Sequence, residues 1–487
     1  MADATILPTQ TSVSPSRAAA SAGSSLMMWL FFLSLTLPVN FMVGGLAMGP
    51  YRLYLVIVTV PFLLQLLAGK AGRVTLVDVA MILFGVWVFV SLYAVHGTER
   101  IAFGGSLMIE LVGGYLTGRI LVRTPAQYEK TFQIFFIILM ILLPFALFEF
   151  FTGRMIIVEV IRKFAPSVSK LNEWRMGLSR TQVVFPSSIL WGLFCSFGIA
   201  NLFYLNSDRL GRGMWKGGLT LAMTCFSMSS GPLLSGILQA ALIVWDQITK
   251  SRWILLLVLG SIAYVVIDAL SNRTPFMIFI ETFTFSPGTA WARIFIWRYG
   301  TDEVWRHPYF GIGLNDWVRA SWMRGSVDNF WLLTAMRHGL PAIILLLGGA
   351  ALNTFRVLRC KPGTHKISQM RTAYLITVFG LFFTLSTVHA WGAVSVMVTF
   401  FIGIGACFYT PQPDEPAKVA LTTDPSTDDA IADTRDRPAR VPSGTCYARV
   451  PAPKPEPRRP SDTKRADLNT PRYSRQTTPV PRNRSRT

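Results

Sequence analysis

Runs of about twenty apolar residues, parted by short polar breaks, repeat along this chain from Leu26 onward. A helix of that length crosses the hydrocarbon core of a bilayer, at 1.5 Å of rise per residue. The pattern predicts about twelve spans, near 26–48, 51–69, 75–96, 101–122, 132–151, 183–205, 214–230, 231–249, 252–269, 331–357, 371–389 and 391–409. Within 214–249 a single long apolar run is interrupted by Ser229-Ser230-Gly231-Pro232. Pro and Gly break helices, so two short helices are expected there, with one kinked helix as the alternative. The fold class expected is therefore all-α, a polytopic membrane bundle of about 12 transmembrane helices with a large helical periplasmic loop.

Charge decides between the two counts. With the N-terminus inside, short cytoplasmic connections carry Lys70 and Arg73, then Arg119, Arg123 and Lys130, then Arg209, Arg212 and Lys216, then Lys250 and Arg252. The last such connection carries Arg356, Arg359, Lys361, Lys366 and Arg371, while the short outer ones hold little beyond Arg52 and Arg100. Lys and Arg gather on the cytoplasmic side, and the alternation holds only if 214–249 crosses twice. Both termini then lie in the cytoplasm of an inner-membrane protein, and the long loops 152–182 and 272–330 lie outside, in the periplasm. Long loops escape the charge rule, so their arginines need another reason, either ligand binding or solubility.

Composition agrees. The 487 residues are 51% hydrophobic and 15% charged, against about 25% charged in soluble domains. The net charge of +20 follows membrane topology and the C-terminal tail, which argues against a nucleic-acid partner. The five Cys, at 195, 225, 360, 407 and 446, show no paired spacing, so neither a disulfide framework nor a zinc site is implied. Residues 1–25 are Ala/Ser/Thr-rich and expected to be a disordered cytoplasmic N-terminus. The first apolar run is too long for a signal-peptide core and reads as an uncleaved anchor. Residues 26–409 form the transmembrane domain. Residues 410–487 are a disordered Pro/Arg-rich cytoplasmic tail, acidic up to Asp436 and basic after it.

The outer polar segments hold the candidate chemistry. Between Thr289 and Leu333 stand Trp291, Trp297, Trp305, Trp317, Trp322 and Trp331, mixed with Arg293, Arg298, Arg306, Arg319 and Arg324. Planar guanidinium forks suit phosphate oxygens, and indole faces suit sugar rings or a membrane interface. Trp291, Ile294, Phe295, Arg298, Asp302 and Trp305 fall on one helical stripe, as on a surface helix that His307-Pro308 ends. Four polar clusters reach the outer surface from different spans: Arg175 with Arg180, Ser229-Ser230-Gly231, Asn272-Arg273, and Asp328-Asn329. His307 is either a general acid or base or a structural hydrogen-bonding group. Asp328, at the head of a span, is either a catalytic carboxylate or a helix cap.

The order of these features resembles the O-antigen ligase and polysaccharide polymerase superfamily, over roughly residues 26 to 409. The residues concerned are Arg180 followed by Phe185-Pro186, the Ser-rich turn SSGPLLSGILQ, Arg293 with Trp297, HPYFGIG, and Asp328-Asn329 followed by Gly339. The ligases carry His where this chain has Asp328, a final Gly where it has Ala342, and Arg where it has Ser230. These departures point to a divergent, exopolysaccharide-polymerase-like branch. The resemblance implies a glycosyltransferase acting on undecaprenyl-diphosphate-linked glycan donors and a glycan acceptor, with no metal or cofactor. By the same resemblance Asp328 is the base, oriented by Asn329, and Arg180 and Arg273 hold the diphosphate. Arg175, Arg293, Arg298, Ser230 and His307 stand by as further contacts, and Trp297 with the other loop indoles lines the glycan path. Polysaccharide export or chain-length proteins are the expected partners besides the bilayer. Two rivals remain: a lipid-linked oligosaccharide transporter, which a mid-membrane polar cluster would favour, and a scaffold acting through its tail.

Overall fold

The computed structural model describes residues 15–43, 46–169, 173–250, 253–270 and 287–410. Asn272 and Arg273 lie outside them, as does the tail from 411. Fifteen α-helices stand in the described residues, with two short hairpins. They are α1 Pro15–Thr36, α2 Pro50–Leu67, α3 Leu76–His96, α4 Ile101–Leu121, α5 Pro125–Thr152 and α6 Ile156–Ile161. Next come α7 Ser188–Ser196, α8 Ile199–Leu205, α9 Leu210–Cys225, α10 Ser230–Thr249 and α11 Trp253–Leu270. The last four are α12 Pro287–Arg306, α13 Phe330–Arg359, α14 His365–Leu385 and α15 Ala393–Ile404. Strands β1 (Phe41–Val43) and β2 (Leu46–Met48) pair antiparallel, as do β3 (Trp174–Arg175) and β4 (Leu178–Ser179). Six helical segments among the described residues are long and apolar enough to cross a membrane.

The first apolar run differs from expectation at both ends. Helix α1 already begins at Pro15, where Ala18, Ala19, Ala20 and Ala22 favour helix, so 15–25 is helical rather than disordered. It stops at Thr36, because Pro38 disfavours helix at the residue before it, and further along the run Phe41–Val43 pairs antiparallel with Leu46–Met48. Residues 214–249 fold as two helices, α9 and α10, joined by a turn in which Met228 takes φ 46°. Cys195, Cys225 and Cys407 are free.

Close packing sits at the α4–α15 crossing. A Cβ on Gly118 of α4 would lie 2.2 Å from the Phe400 carbonyl oxygen of α15. Small residues let helix backbones approach this closely, which drives association where lipid offers no hydrophobic gain. Near one end of α4, Arg119 donates to Asp78 at 2.9 Å, with both side chains buried. Tyr115 and Thr75 also donate to Asp78, and Arg119 also donates to the Ala71 carbonyl, so the pair is fully satisfied.

Helices α7 and α8 are two halves of one buried span broken at Phe197-Gly198. Gln239 of α10 repairs the break, donating to the Ser196 carbonyl and accepting from the Ala200 amide. Asn201 beside it donates to the Phe197 carbonyl and to Thr377. Polar groups therefore do occur deep in the bundle. They are bound to one another as backbone repair, which does not favour a substrate path.

Helix α13 is kinked at Gly339, whose φ is 78°. Pro341 has no N–H, and Leu340 donates to the Pro308 carbonyl instead of to its own helix. The carbonyls of Met336 and Arg337 accept from Ile312 and Gly313, and that of His338 from the Trp87 indole. The segment 308–313 thus completes the broken helix. A Cβ at residue 339 would fall 1.9 Å from the Tyr309 carbonyl oxygen. Gly339→Ala is expected to detach this segment, costing about 1–3 kcal/mol from the backbone conformation alone. A lowered thermal midpoint in detergent checks it; an unchanged midpoint contradicts it.

A candidate anion-binding cavity

Connections distant in sequence meet at one end of the bundle. The Asn40 amide donates to the Pro166 carbonyl, the Thr181 amide to Phe226, and the Phe330 amide to Val388. The Leu314 amide donates to the His96 ring. Helix α12 lies along α13, with Gly300 so close that a Cβ would meet Leu332 at 2.8 Å.

Among these connections lies a cavity of about 750 Å³. Arg175 and Arg180 line it from the β3–β4 hairpin and the residue directly after it, Ser229 and Ser230 from the start of α10, and Arg293 from α12. Arg324 and Asp328 line it from the segment before α13. Arg180 is 7% exposed and hydrogen-bonds the Ser227 carbonyl, while Arg175 donates to the Met228 carbonyl. Arg293 donates to the Ser230 hydroxyl at 3.2 Å, and its Nε is buried with no partner among the described residues. Burial lowers the pKa of both Arg180 and Arg293, which still leaves guanidinium groups charged at neutral pH. Asp328 moves the other way: burial raises its pKa, and the positive charges of Arg293 and Arg324 only partly oppose this. A carboxyl held above its ordinary range by desolvation is a stronger proton acceptor once ionised.

Two further acids decide how the site is held, and neither was singled out for this from the sequence. Glu173 pairs with Arg180 while itself half exposed. It is one of two acids in the Arg-rich stretch 152–182, and that scarcity was the available signal. Glu149, buried at the end of α5, accepts from the Gln182 and Val183 amides at 3.1 and 2.7 Å. Val183 has φ 57°, a conformation a β-branched residue rarely adopts, so this carboxylate holds the turn that follows Arg180. Glu149→Leu should leave two buried donors unmade, at about 1–3 kcal/mol each. Faster amide exchange over residues 181–184 is the expected readout, and unchanged exchange would exclude the role.

The remaining sequence candidates fall elsewhere. Asn329 is the N-cap of α13, its side-chain oxygen accepting from the Leu332 amide. Asp328 itself is therefore not the cap, and its carboxylate remains for the cavity. Trp297 and Arg298 are exposed on the outer side of α12, because Ile296, Gly300, Glu303 and Val304 form the buried seam against α13. Trp291 and Trp305 share that outer side, as the aromatic residues of an interfacial helix do. His307 ends α12 outside the cavity and reaches Glu303 at 3.5 Å, a structural contact. Arg273 lies outside the described residues.

Among the described residues no group of three or more His, Cys, Asp or Glu is placed to hold a metal ion. The cavity's own cations are its arginines. Four guanidiniums, two serine hydroxyls at a helix start and the two carboxylates of Glu173 and Asp328 line it, a set that suits a multiply charged phosphate beside a group that loses a proton. Compared with known proteins, the chain matches no family model and no curated relative.

Proposed function

We propose that the chain is a membrane glycosyltransferase. It polymerises or transfers undecaprenyl-diphosphate-linked glycan repeat units at the periplasmic face, without a metal, in exopolysaccharide or O-antigen biosynthesis. The observation that carries this reading is the meeting of Arg175, Arg180, Ser230, Arg293 and Asp328 around one cavity, from four separate stretches of chain. Twelve spans, with the cavity on the outer side and both termini in the cytoplasm, fit the distribution of Lys and Arg.

In this reading the donor diphosphate lies among Arg175, Arg180 and Arg293, close to the first amides of α10. Glu173 yields Arg180 to the incoming phosphate. The Asp328 carboxylate takes the proton of the acceptor sugar hydroxyl as its oxygen bonds to the anomeric carbon of the donor. The anomeric carbon–oxygen bond breaks, its electron pair passing to the diphosphate, where the arginines neutralise the new charge. Displacement at that carbon inverts its configuration. Aromatic side chains at the cavity edge, Trp174 and Trp322, offer faces for sugar rings.

Purified protein reconstituted with undecaprenyl-diphosphate-linked repeat units should lengthen the glycans, and an Arg180→Ala variant should make few or none. Transfer only when lipid A-core is supplied would select the ligase activity instead. Movement of the donor between leaflets without new glycosidic bonds would select transport and end this reading.

A further inference from the structure

A second cavity, of about 370 Å³, lies beside the first. Sequence neighbours divide the two: Ile189, Val388 and Asp328 face the first, while Leu190, His389 and Phe330 face the second. Its wall is mostly apolar, with Leu, Val and Phe side chains from α3, α4, α13 and the segment leading into α7. Leu37 lines it and is half exposed, so its rim opens at the surface of the bundle.

The charges in this wall do not balance. Arg52 is spent on Glu110 and on the Ala47 carbonyl. That pair leaves Arg337, which lines the same cavity and has no hydrogen-bond acceptor or ion-pair partner among the described residues. His338 is engaged through Nδ1 with Ser91. His389 stacks between Phe330 and Trp391, at ring separations of 6.1 and 5.5 Å, and its Nδ1 is buried without a partner among the described residues. Two guanidiniums against one carboxylate leave a single uncompensated positive charge in an apolar recess. Such a charge is costly unless an anion meets it.

We infer that this cavity binds a singly anionic phospholipid, its phosphate on the Arg337 guanidinium and its apolar chain running along the Leu and Phe wall to the rim at Leu37. A free phosphate would have no use for the apolar wall. A zwitterionic headgroup would bring a second positive charge to a recess already positive. The inference does not depend on the glycosyltransferase reading, because the residues it uses are not those of the first cavity.

The test titrates purified full-length protein in neutral detergent with phosphatidylglycerol, phosphatidylcholine or inorganic phosphate, read by native mass spectrometry and thermal midpoint. Phosphatidylglycerol should bind at one saturable site and raise the midpoint. Arg337→Gln should weaken it about ten-fold or more, the loss expected for one charge-assisted contact. Arg337→Lys should restore part of the binding, which separates loss of charge from misfolding, and Arg293→Gln should leave it unchanged. Equal binding of phosphatidylcholine, or retention of phosphatidylglycerol by Arg337→Gln, would overturn the site. Loss on Arg293→Gln would move the anion to the first cavity. Inorganic phosphate binding that Arg337→Gln abolishes would remove the lipid from the inference.

Discussion

Asp328→Asn is expected to lower turnover by about 10²–10⁴-fold, the usual contribution of a positioned general base. The amide keeps the shape and the space, so donor KM should change little, since the diphosphate contacts come from arginines. The pH profile supplies the sharper readout. Burial raises the Asp328 pKa, so the wild-type acid limb should lie above the ordinary carboxylate range and rate should climb as pH rises through it. In Asp328→Asn the residual rate should show no such limb. The linkage has the opposite sense for stability. A carboxyl with a raised folded-state pKa favours folding most when protonated, and that contribution is lost as pH rises through its raised range. Asp328→Asn should therefore be less sensitive to pH in stability over the same window. A wild-type limb in the ordinary carboxylate range, or one that survives in Asp328→Asn, would remove Asp328 from the mechanism.

The largest effect on stability should come from the far side of α4. Arg119→Met leaves the Asp78 carboxylate buried without its guanidinium, and breaking a buried pair costs about 3–5 kcal/mol. Asp78 retains donors from Thr75 and Tyr115, which places the expected loss toward the lower end of that range. The double change Asp78→Leu with Arg119→Met should recover much of the loss, because it removes both desolvation costs. Thermal midpoints of the single and double variants in one detergent give the comparison. A single variant as stable as wild type would show that the pair contributes nothing.

The helical framework was legible because apolar runs and Pro, Gly and Thr punctuation are local signals. Thr75, Thr124 and Thr364 cap α3, α5 and α14 as such residues do, and Ser229-Ser230-Gly231-Pro232 marks the turn between α9 and α10. Loop arginines were legible as candidates from their residue type. Periodicity marked a helix over 291–305, within the observed α12, and the exposed stripe of Trp291, Arg298 and Trp305, but not its buried side. Trp297 and Arg298 share a face with other aromatics, and the sequence does not say that α13 takes the opposite seam through Gly300. Asn329 and Asp328 both cap helices well, and only the backbone geometry shows that Asn329 does so. Arg119 counts toward cytoplasmic charge in the sequence, yet it is a buried structural partner whose acid lies 41 residues away. Glu173, Glu149 and Arg337 owe their roles to neighbours brought near by folding, and such pairings leave no local pattern.

The most direct measurement is an electron cryomicroscopy structure of the full-length protein with a lipid-diphosphate-linked glycan bound. Both phosphates should contact Arg180 and Arg293, with Glu173 released from Arg180 and Asp328 beside the first sugar. A diphosphate seated elsewhere, with the Glu173–Arg180 pair intact, would contradict this placement.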